Sequence, residues 1–151
     1  MEGIIKQILE SKGHDVTMVD CSMSLFECAK LMNETGIGSL LVLENEELCG
    51  ILHERDISRR GVCQNLDLHS TTVSEIMNSE FPVVNSYTPI LSAMALISTH
   101  RVRHLPVVDD NAISGLVSIG DLTQWILELQ QEDIEQLLSY INNDFARKEG
   151  H

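Results

Sequence analysis

The sequence predicts an α+β fold built from two copies of one β-α-β-β-α unit. The octapeptides GILHERDI (50–57) and GLVSIGDL (115–122) share a glycine and an aspartate in the same frame, 65 residues apart. Before them, apolar positions continue to match at this offset, without a gap, as far back as Val19 and Val84. Within each copy, short apolar runs alternate with a stretch of helical periodicity. The chain is therefore predicted to repeat one supersecondary unit.

The first copy begins with an extended segment, VTMV (16–19), and continues into a helix that Ser22 or Ser24 can cap. The apolar residues of this helix recur at helical spacing: Leu25, Cys28, Ala29, Leu31 and Met32. Gly36 is a plausible helix stop. Two buried strands follow, SLLVL (39–43) and LCGIL (48–52).

The second copy begins with PVV (82–84), where a proline suits the start or edge of a strand. Pro89 lies near the first turn of the next helix, whose apolar positions are Ile90, Ala93, Met94 and Ile97. HLPVV (104–108) and ISGLV (113–117) are the predicted buried strands. Asp56 in the first copy and Asp121 in the second then lie where a strand becomes a helix, where an acidic side chain favours the helix dipole.

Four segments are predicted: residues 14–62 as the first unit, 63–78 as a linker with a short helix, 79–130 as the second unit, and 131–151 as a C-terminal helical tail. Thr72 and Glu75 fit a capping box that opens the linker helix. An N-terminal helix precedes the first unit. One apolar stripe runs from the second unit into the tail: Trp125, Ile126, Leu129, Ile134, Leu137, Leu138, Ile141 and Phe145. This stripe either packs on its own domain or forms a dimer interface.

Composition excludes several classes of function. A formal net charge of −13 argues against binding to a nucleic-acid backbone, although it leaves room for a local basic pocket. No apolar run has the ~20 residues of a membrane-spanning helix, and the N-terminus lacks the pattern of a secretory signal. The four cysteines include no C-x-x-C pair, which predicts reduced, mostly buried thiols, no structural zinc site and a cytoplasmic location.

No sequence motif indicates catalysis. The chain contains no G-x-x-x-x-G-K-S/T loop, no dinucleotide-binding G-x-G-x-x-G and no motif-supported Ser-His-Asp order. His100 and His104 are four residues apart, but a predicted helix-to-strand break separates them, so we expect no metal site. The protein is predicted not to be an enzyme.

The tandem unit, with its G-apolar-apolar-S/T-x-x-D ending, resembles the CBS domain, named after cystathionine β-synthase, and the pair resembles a Bateman module. The features that carry this resemblance are the two octapeptides, the segment RVRHLPVVDD (101–110), the linker TVSEIMNSE (72–80), and the helices LFECAKLM and ILSAMALI. The chain looks especially like small stand-alone prokaryotic CBS-pair proteins. The resemblance implies pseudo-twofold symmetry, two clefts and often a homodimer. It also implies binding of an adenine nucleotide (AMP, ADP, ATP, NAD or S-adenosylmethionine).

In the second copy, the resemblance implies that Asp121 holds the ribose and that Ser118 contacts ribose or phosphate. Arg103 and His104 match the family's basic positions near the phosphates, and Arg101 is a further candidate. Backbone groups around Val83 and Val84 would meet the adenine edge. A carboxylate can accept charge-assisted hydrogen bonds from ribose hydroxyls, and a helix N-terminus favours phosphate. Simpler roles remain open. Asp121 can favour the helix dipole alone, and Ser118 can be an ordinary serine at the end of a strand. Arg103 can pair with an acidic residue, and His104 can be a packed strand residue.

The first copy departs from this pattern. His53 stands where the second copy has Ser118, and Gly38 and Ser39 replace the two basic residues. Asp56 is retained, and Arg55 beside it either compensates for the missing charge or faces solvent. We therefore expect asymmetric sites, with the second cleft binding a phosphorylated ligand more tightly.

The leading hypothesis is a non-catalytic sensor that needs no cofactor, binds an adenine nucleotide between the two units and signals to an unidentified partner protein. The alternative is an oligomeric interaction scaffold whose clefts are degenerate and bind no ligand.

Overall fold

The computed structural model describes the backbone of residues 3–149 and the side chains of residues 3–143. Helix α1 spans Ile5–Lys12, and the first unit contains strand β1 (Met18–Asp20), helix α2 (Leu25–Thr35), strand β2 (Ser39–Glu44) and strand β3 (Glu47–His53). Helix α3 begins as Glu54–Asp56 and continues as a π-helical segment, Ile57–Val62. After a short 3-10 turn, Val73–Glu75, the second unit contains helix α4 (Ile90–His100), strand β4 (His104–Asp109), strand β5 (Ala112–Ser118) and helix α5 (Ile119–Glu149). The predicted fold class, a mixed α and β tandem repeat, is confirmed.

The first unit forms a three-stranded sheet in the order β1-β2-β3. β1 pairs with β2 in parallel and β2 with β3 antiparallel, with Ser39 opposite His53. Ser24 caps α2, because its hydroxyl accepts the Glu27 N–H at 3.1 Å. Gly36 ends α2 in the left-handed region, at φ 69° and ψ 21°, as predicted.

The second unit has a two-stranded sheet formed by β4 and β5. The prediction of a strand at 82–84 is wrong. Only Val84 bridges to β4, opposite Val107. In the first unit, the Leu41 N–H donates to the Thr17 carbonyl at 3.1 Å. The residue 65 positions after Leu41 is Pro106, which has no N–H to donate. The parallel ladder therefore shrinks to a single bridge.

The N-terminal segment and the linker are also related to each other, at an offset of 68 rather than 65 residues. Leu25 N–H donates to Thr71 O at 2.9 Å, and Ile90 N–H to Gly3 O at the same distance. The capping box at Thr72 (Thr72 N–H to Glu75 Oε2, 2.7 Å) has a counterpart at the start of α1 (Ile4 N–H to Gln7 Oε1, 2.8 Å). The linker thus completes the first unit, and the N-terminal segment completes the second.

Each unit has its own hydrophobic core. In the second unit, buried residues of α1 join those of α4, the strands and α5: Ile5, Ile8, Leu9, Val84, Ile90, Ala93, Ile97, Leu105, Val107, Val117 and Leu122. Val73 and Ile76 of the linker play the same part in the first unit. Two related glycines, Gly50 and Gly115, leave space for side chains of the linker and of α1. A Cβ on Gly115 would lie 2.7 Å from Leu9 Cδ2, and a Cβ on Gly50 would clash with Met77 Sδ.

Helix α5 divides the predicted apolar stripe into two parts. Trp125 and Ile126 pack against the core of the second unit. Beyond Gln130, every described side chain of the helix is exposed, including the large apolar residues Ile134, Leu137, Leu138 and Ile141. The side chain of Phe145 lies outside the described residues. Packing on its own domain therefore holds for Trp125 and Ile126, and a dimer interface stays a prediction for the exposed part of the stripe.

All four cysteines are free thiols, but only Cys28 is buried, so the prediction that most of them are buried is wrong. Burial, and secondarily the charge of Glu27, raises the pKa of Cys28 to about 11, so this thiol stays protonated at neutral pH. None of the described helices combines the length and the apolar character needed to cross a membrane.

Candidate functional site

The turn from β5 into α5 contains a capping box. The Asp121 N–H donates to Ser118 Oγ at 3.1 Å, and the Ser118 N–H donates to Asp121 Oδ2 at 2.8 Å. Lys12, the last residue of α1, donates to the same carboxylate oxygen at 2.7 Å. Ser118 and Asp121 therefore each have a structural role, and their contact with a nucleotide stays a prediction.

Asp121 is a half-buried carboxylate held in its ionised form. Burial alone would raise its pKa, but the hydrogen bonds from Lys12 and from the Ser118 backbone outweigh this cost and lower the pKa. The N-terminus of α5 is less open to phosphate than the sequence suggested. Its Ile119 N–H already donates to Arg103 O at 2.8 Å, and the Asp121 N–H is used by Ser118.

The basic residues predicted for the phosphates lie at the entry to β4. Arg103 has an exposed side chain that forms no ion pair with any described carboxylate. Arg101 ends α4 in the left-handed region, at φ 53°, and is also exposed. His104 lies opposite Ser118 in the β4–β5 ladder and is half-buried. The structure thus brings Ser118, His104 and Arg103 to one end of the second sheet.

The two units meet at a pair of imidazole rings. His53, at the end of β3, and His104, at the start of β4, have ring centroids 5.3 Å apart at an interplanar angle of 38°. His53 Nε2 and His104 Nδ1 are both buried and lack hydrogen-bond partners among the described residues. Burial lowers the pKa of His104 to about 4, and the charges of His53, Lys12 and Arg103 add to this effect while Asp121 opposes it. His104 is therefore neutral at pH 7.

The equivalent turn of the first unit has a different electrostatic environment. The His53 N–H donates to Asp56 Oδ2 at 2.9 Å, and His53 Nδ1 lies 3.4 Å from the same oxygen. Burial alone would raise the pKa of Asp56, but His53, and further away Arg60, lower it. The side chain of Arg55 is exposed and forms no ion pair with any described residue, so of its two predicted roles the structure fits the solvent-facing one.

Gly38 occupies the position that Arg103 has in the second unit, and an acidic side chain covers it. A Cβ on Gly38 would lie 3.2 Å from Glu54 Oε1. The first unit therefore has a carboxylate where the second has a guanidinium, which increases the asymmetry that the sequence predicts.

The backbone groups of Val84, which are predicted to meet the adenine edge, already have hydrogen-bond partners. The Val84 N–H donates to Pro106 O at 3.0 Å, and its carbonyl accepts the Val108 N–H at 2.8 Å. Both groups serve the bridge to β4, so the Val84 N–H is not free for a ligand. The prediction narrows to the backbone of Val83, whose side chain is half exposed.

Two cations that lie near Asp121 and Asp56 were not predicted from the sequence. Lys12 reaches Asp121 from a helix 109 positions earlier in the chain, and Arg60 donates to the linker carbonyl of Ile76 at 2.9 Å while acting on Asp56. The apolar residues of α1 and of the linker match at an offset of 68 residues (Ile5 with Val73, for example), and this signal could have located α1 beside the second turn. Among the described side chains, no group of three histidine, cysteine, aspartate or glutamate residues could hold a metal ion.

The doubled unit, with two related polar turns meeting at its centre, defines a tandem-repeat module. Comparison with known families identifies the module: the model of the CBS domain matches residues 5–62 and 73–128, and the chain belongs to this family of regulatory and signalling modules.

Its relatives include small proteins consisting of little else. The chain is 33% identical over 128 residues to the CBS domain-containing protein YhcV of Bacillus subtilis, covering 85% of this chain and 89% of that protein. The crystal structure of the CBS domain NE2398 superposes with a TM-score of 0.79 at 39% identity, over 84% of this chain and 99% of that one. The CBS domain pair of MJ0100, in complex with 5′-methylthioadenosine and S-adenosyl-L-methionine, gives a TM-score of 0.73 over 83% of this chain and 97% of that one. At 23% identity this likeness concerns the fold alone.

Proposed function

We propose that this CBS pair is a non-catalytic sensor that binds an adenine nucleotide (AMP, ADP, ATP or NAD) in the cleft of the second unit and signals its presence to a partner protein. One observation carries the proposal. The ionised Asp121 carboxylate lies at the same end of the second sheet as Arg103 and His104, and His104 contacts the first unit. Ribose hydroxyls would donate hydrogen bonds to the carboxylate, and the Arg103 guanidinium would donate hydrogen bonds to a phosphate.

The fold supports the class of ligand without identifying it. MJ0100 shares this fold and binds two adenosine derivatives. The proposed site here uses Asp121, Ser118, Arg103, His104 and Arg101. We expect the first cleft, with Asp56 and His53, to bind a phosphorylated ligand weakly, because Glu54 lies where a cation would be needed. The free cysteines fit the reducing environment of the cytoplasm, where we place the protein.

A thermal-shift series with AMP, ADP, ATP, NAD and S-adenosylmethionine tests the proposal. A ligand that binds the folded state raises the melting temperature by mass action, by about 2.7 kcal/mol of added stability at one hundred times its Kd. Asp121→Asn should abolish the shift, and the matched variant Asp56→Asn should retain it. If no ligand shifts the wild type at millimolar concentration, the nucleotide hypothesis is wrong.

A second observation favours assembly of the module, and we propose that two chains pair through helix α5. From Gln130 to Ile141 the helix has no partner among the described residues, and an isolated helix of this length is marginal in water. Its apolar side chains are spaced for a helix–helix seam: Ile134, Leu137, Leu138 and Ile141, each at least half exposed. A second copy offers the same seam, in keeping with the symmetric pairing of most oligomers.

Light scattering coupled to size exclusion tests this pairing. The double variant Leu137→Glu with Ile141→Glu should be monomeric, because it places charges in the seam. The control variant, Gln136→Glu with Ser139→Glu, adds the same charge on the opposite face and should remain dimeric. A wild-type monomer at high concentration would refute the pairing.

A further inference from the structure

Helix α1 delivers a cation to the turn of the second unit. Lys12 Nζ donates to Asp121 Oδ2 at 2.7 Å and to the Leu116 carbonyl at 2.9 Å. The side chains of Lys12 and Asp121 are 37% and 24% exposed, so a ligand can reach the pair. A group with two protein acceptors is held in place more firmly than a free surface lysine.

The rest of α1 fixes this cation in position. Ile5, Ile8 and Leu9 are buried in the core of the second unit, and Gly13 ends the helix at φ 101°. Since the buried face of the helix is anchored, the residue at its last turn has little freedom to leave the cleft. Lys12 therefore belongs structurally to the second unit, although it lies outside the 65-residue repeat.

The charge balance of the second turn depends on Lys12. Asp121 alone would repel a phosphate placed beside it. The positive charges of Lys12 and Arg103 both act on neutral His104 and offset the negative charge of Asp121, within a chain whose net charge is −13. The residue 68 positions after Lys12 is Glu80, so the sequence supplies no related cation to the first unit.

The Asp121 carboxylate still has an oxygen for a ligand. Both hydrogen bonds that described residues donate to it end on Oδ2, and Oδ1 keeps its lone pairs. The ammonium of Lys12 can therefore neutralise the carboxylate without blocking every acceptor.

We propose that Lys12 determines the charge specificity of the second cleft: by neutralising Asp121, it allows a phosphorylated nucleoside to bind where an unphosphorylated nucleoside would otherwise be preferred. This inference rests on the proposed function, since it assumes that the ligand is an adenine nucleotide. It adds a residue from α1 to the site and predicts a selectivity that Asp121 and Arg103 do not explain.

Calorimetric titration of AMP and of adenosine into four full-length proteins tests the inference. Lys12→Met should weaken AMP binding about tenfold while changing adenosine binding less than about twofold, because only AMP carries the phosphate. Lys12→Arg, which keeps the charge, should restore the wild-type ratio of the two affinities. The matched control is Lys6→Met, since Lys6 lies on the same helix over the Tyr87 ring, with its Nζ 5.9 Å from the ring centroid.

The other outcomes overturn the inference in distinguishable ways. If Lys12→Met tightens both ligands equally, Lys12 competes with the ribose for Asp121. If the variant weakens both equally, Lys12 only positions the carboxylate. Either result leaves the nucleotide site intact and removes the specificity role. A wild type that binds neither AMP nor adenosine also removes this inference, and the proposed function fails with it only if the thermal-shift series shows that ADP, ATP, NAD and S-adenosylmethionine do not bind either.

Discussion

The two units keep the same fold with different polar groups at the same positions. In the second unit, Ser86 and Ser114 both donate their hydroxyls to Asp109 Oδ2, the Ser114 bond measuring 2.5 Å, and the Ser86 N–H donates to Oδ1 at 2.9 Å. The residues 65 positions earlier are Cys21, Cys49 and Glu44. There, the Cys21 N–H donates to the backbone carbonyl of Leu43 at 2.8 Å.

This difference compensates for a missing strand. The first unit ties the segment before α2 to its sheet with the β1–β2 ladder. The second unit, which Pro106 deprives of that ladder, ties the matching segment down with a carboxylate that collects three hydrogen bonds from two serines. The apolar layers are common to both units, so the fold depends on them, and the polar groups are free to diverge.

The largest expected effect on stability comes from the apolar residues that α1 and the linker contribute to the two cores. Leu9→Ala removes a fully buried side chain from the second unit and should lower the free energy of unfolding by about 2–5 kcal/mol. Met77→Ala, at the related position of the first unit, should cost less, because Met77 is only half-buried and its neighbours can relax. Urea denaturation measures both values, and Leu91→Ala, at a residue 58% exposed, is the control. Equal costs for Leu9→Ala and Met77→Ala would contradict the expectation that the difference in burial sets the cost at these two related positions.

The next largest expected effect distinguishes the polar groups around Asp109 in the second unit from those around Glu44 in the first. Asp109→Ala leaves two serine hydroxyls without their shared acceptor and should cost about 1–2 kcal/mol. Glu44→Ala should change stability by less than about 0.5 kcal/mol, because Glu44 is exposed. Hydrogen bonds from Ser114 and Ser86 lower the pKa of Asp109, so its contribution is present above the ordinary value of 3.8 and is lost as pH falls through the lower folded value. Asp109→Asn, which keeps an oxygen acceptor, should fall between the two alanine variants in denaturant titrations at pH 7.

The sequence predicted the elements that local spacing determines, and it missed those that depend on distant partners. The 65-residue repeat located α2, α4 and both hairpins, because each is fixed by its own apolar period and caps. The strand at 82–84 failed because its pairing depends on an N–H that Pro106 lacks, although that proline is visible in the sequence. Lys12 was missed as a site residue because the 65-residue repeat does not include α1, and only the separate 68-residue match between α1 and the linker indicates that this helix packs against the second unit.

The last expected effect, similar in size to that of Asp109→Ala, concerns the contact between the two units. The second unit has His104 at the start of β4, where the first unit has Ser39 at the start of β2. Because burial holds the folded-state pKa of His104 near 4, below its ordinary value of 6.5, the unfolded chain binds a proton between these pH values that the folded chain does not. Stability should therefore fall as the pH drops from 6.5 towards 4. The loss should be about 1–2 kcal/mol after discounting for solvent screening of a half-buried group.

His104→Ser, which gives the second unit the residue of the first, sharpens this prediction. The groups whose charges act on His104 are His53, Lys12, Arg103 and Asp121, and all of them remain in the variant. The variant should lose the pH dependence between 6.5 and 4, whatever its stability at pH 7, while His100→Ser, at an exposed helical position, should keep the wild-type slope. Urea midpoints across this pH range measure the slopes. An unchanged slope in His104→Ser would mean that another group titrates there, and the histidine contact would then join the two units by packing alone.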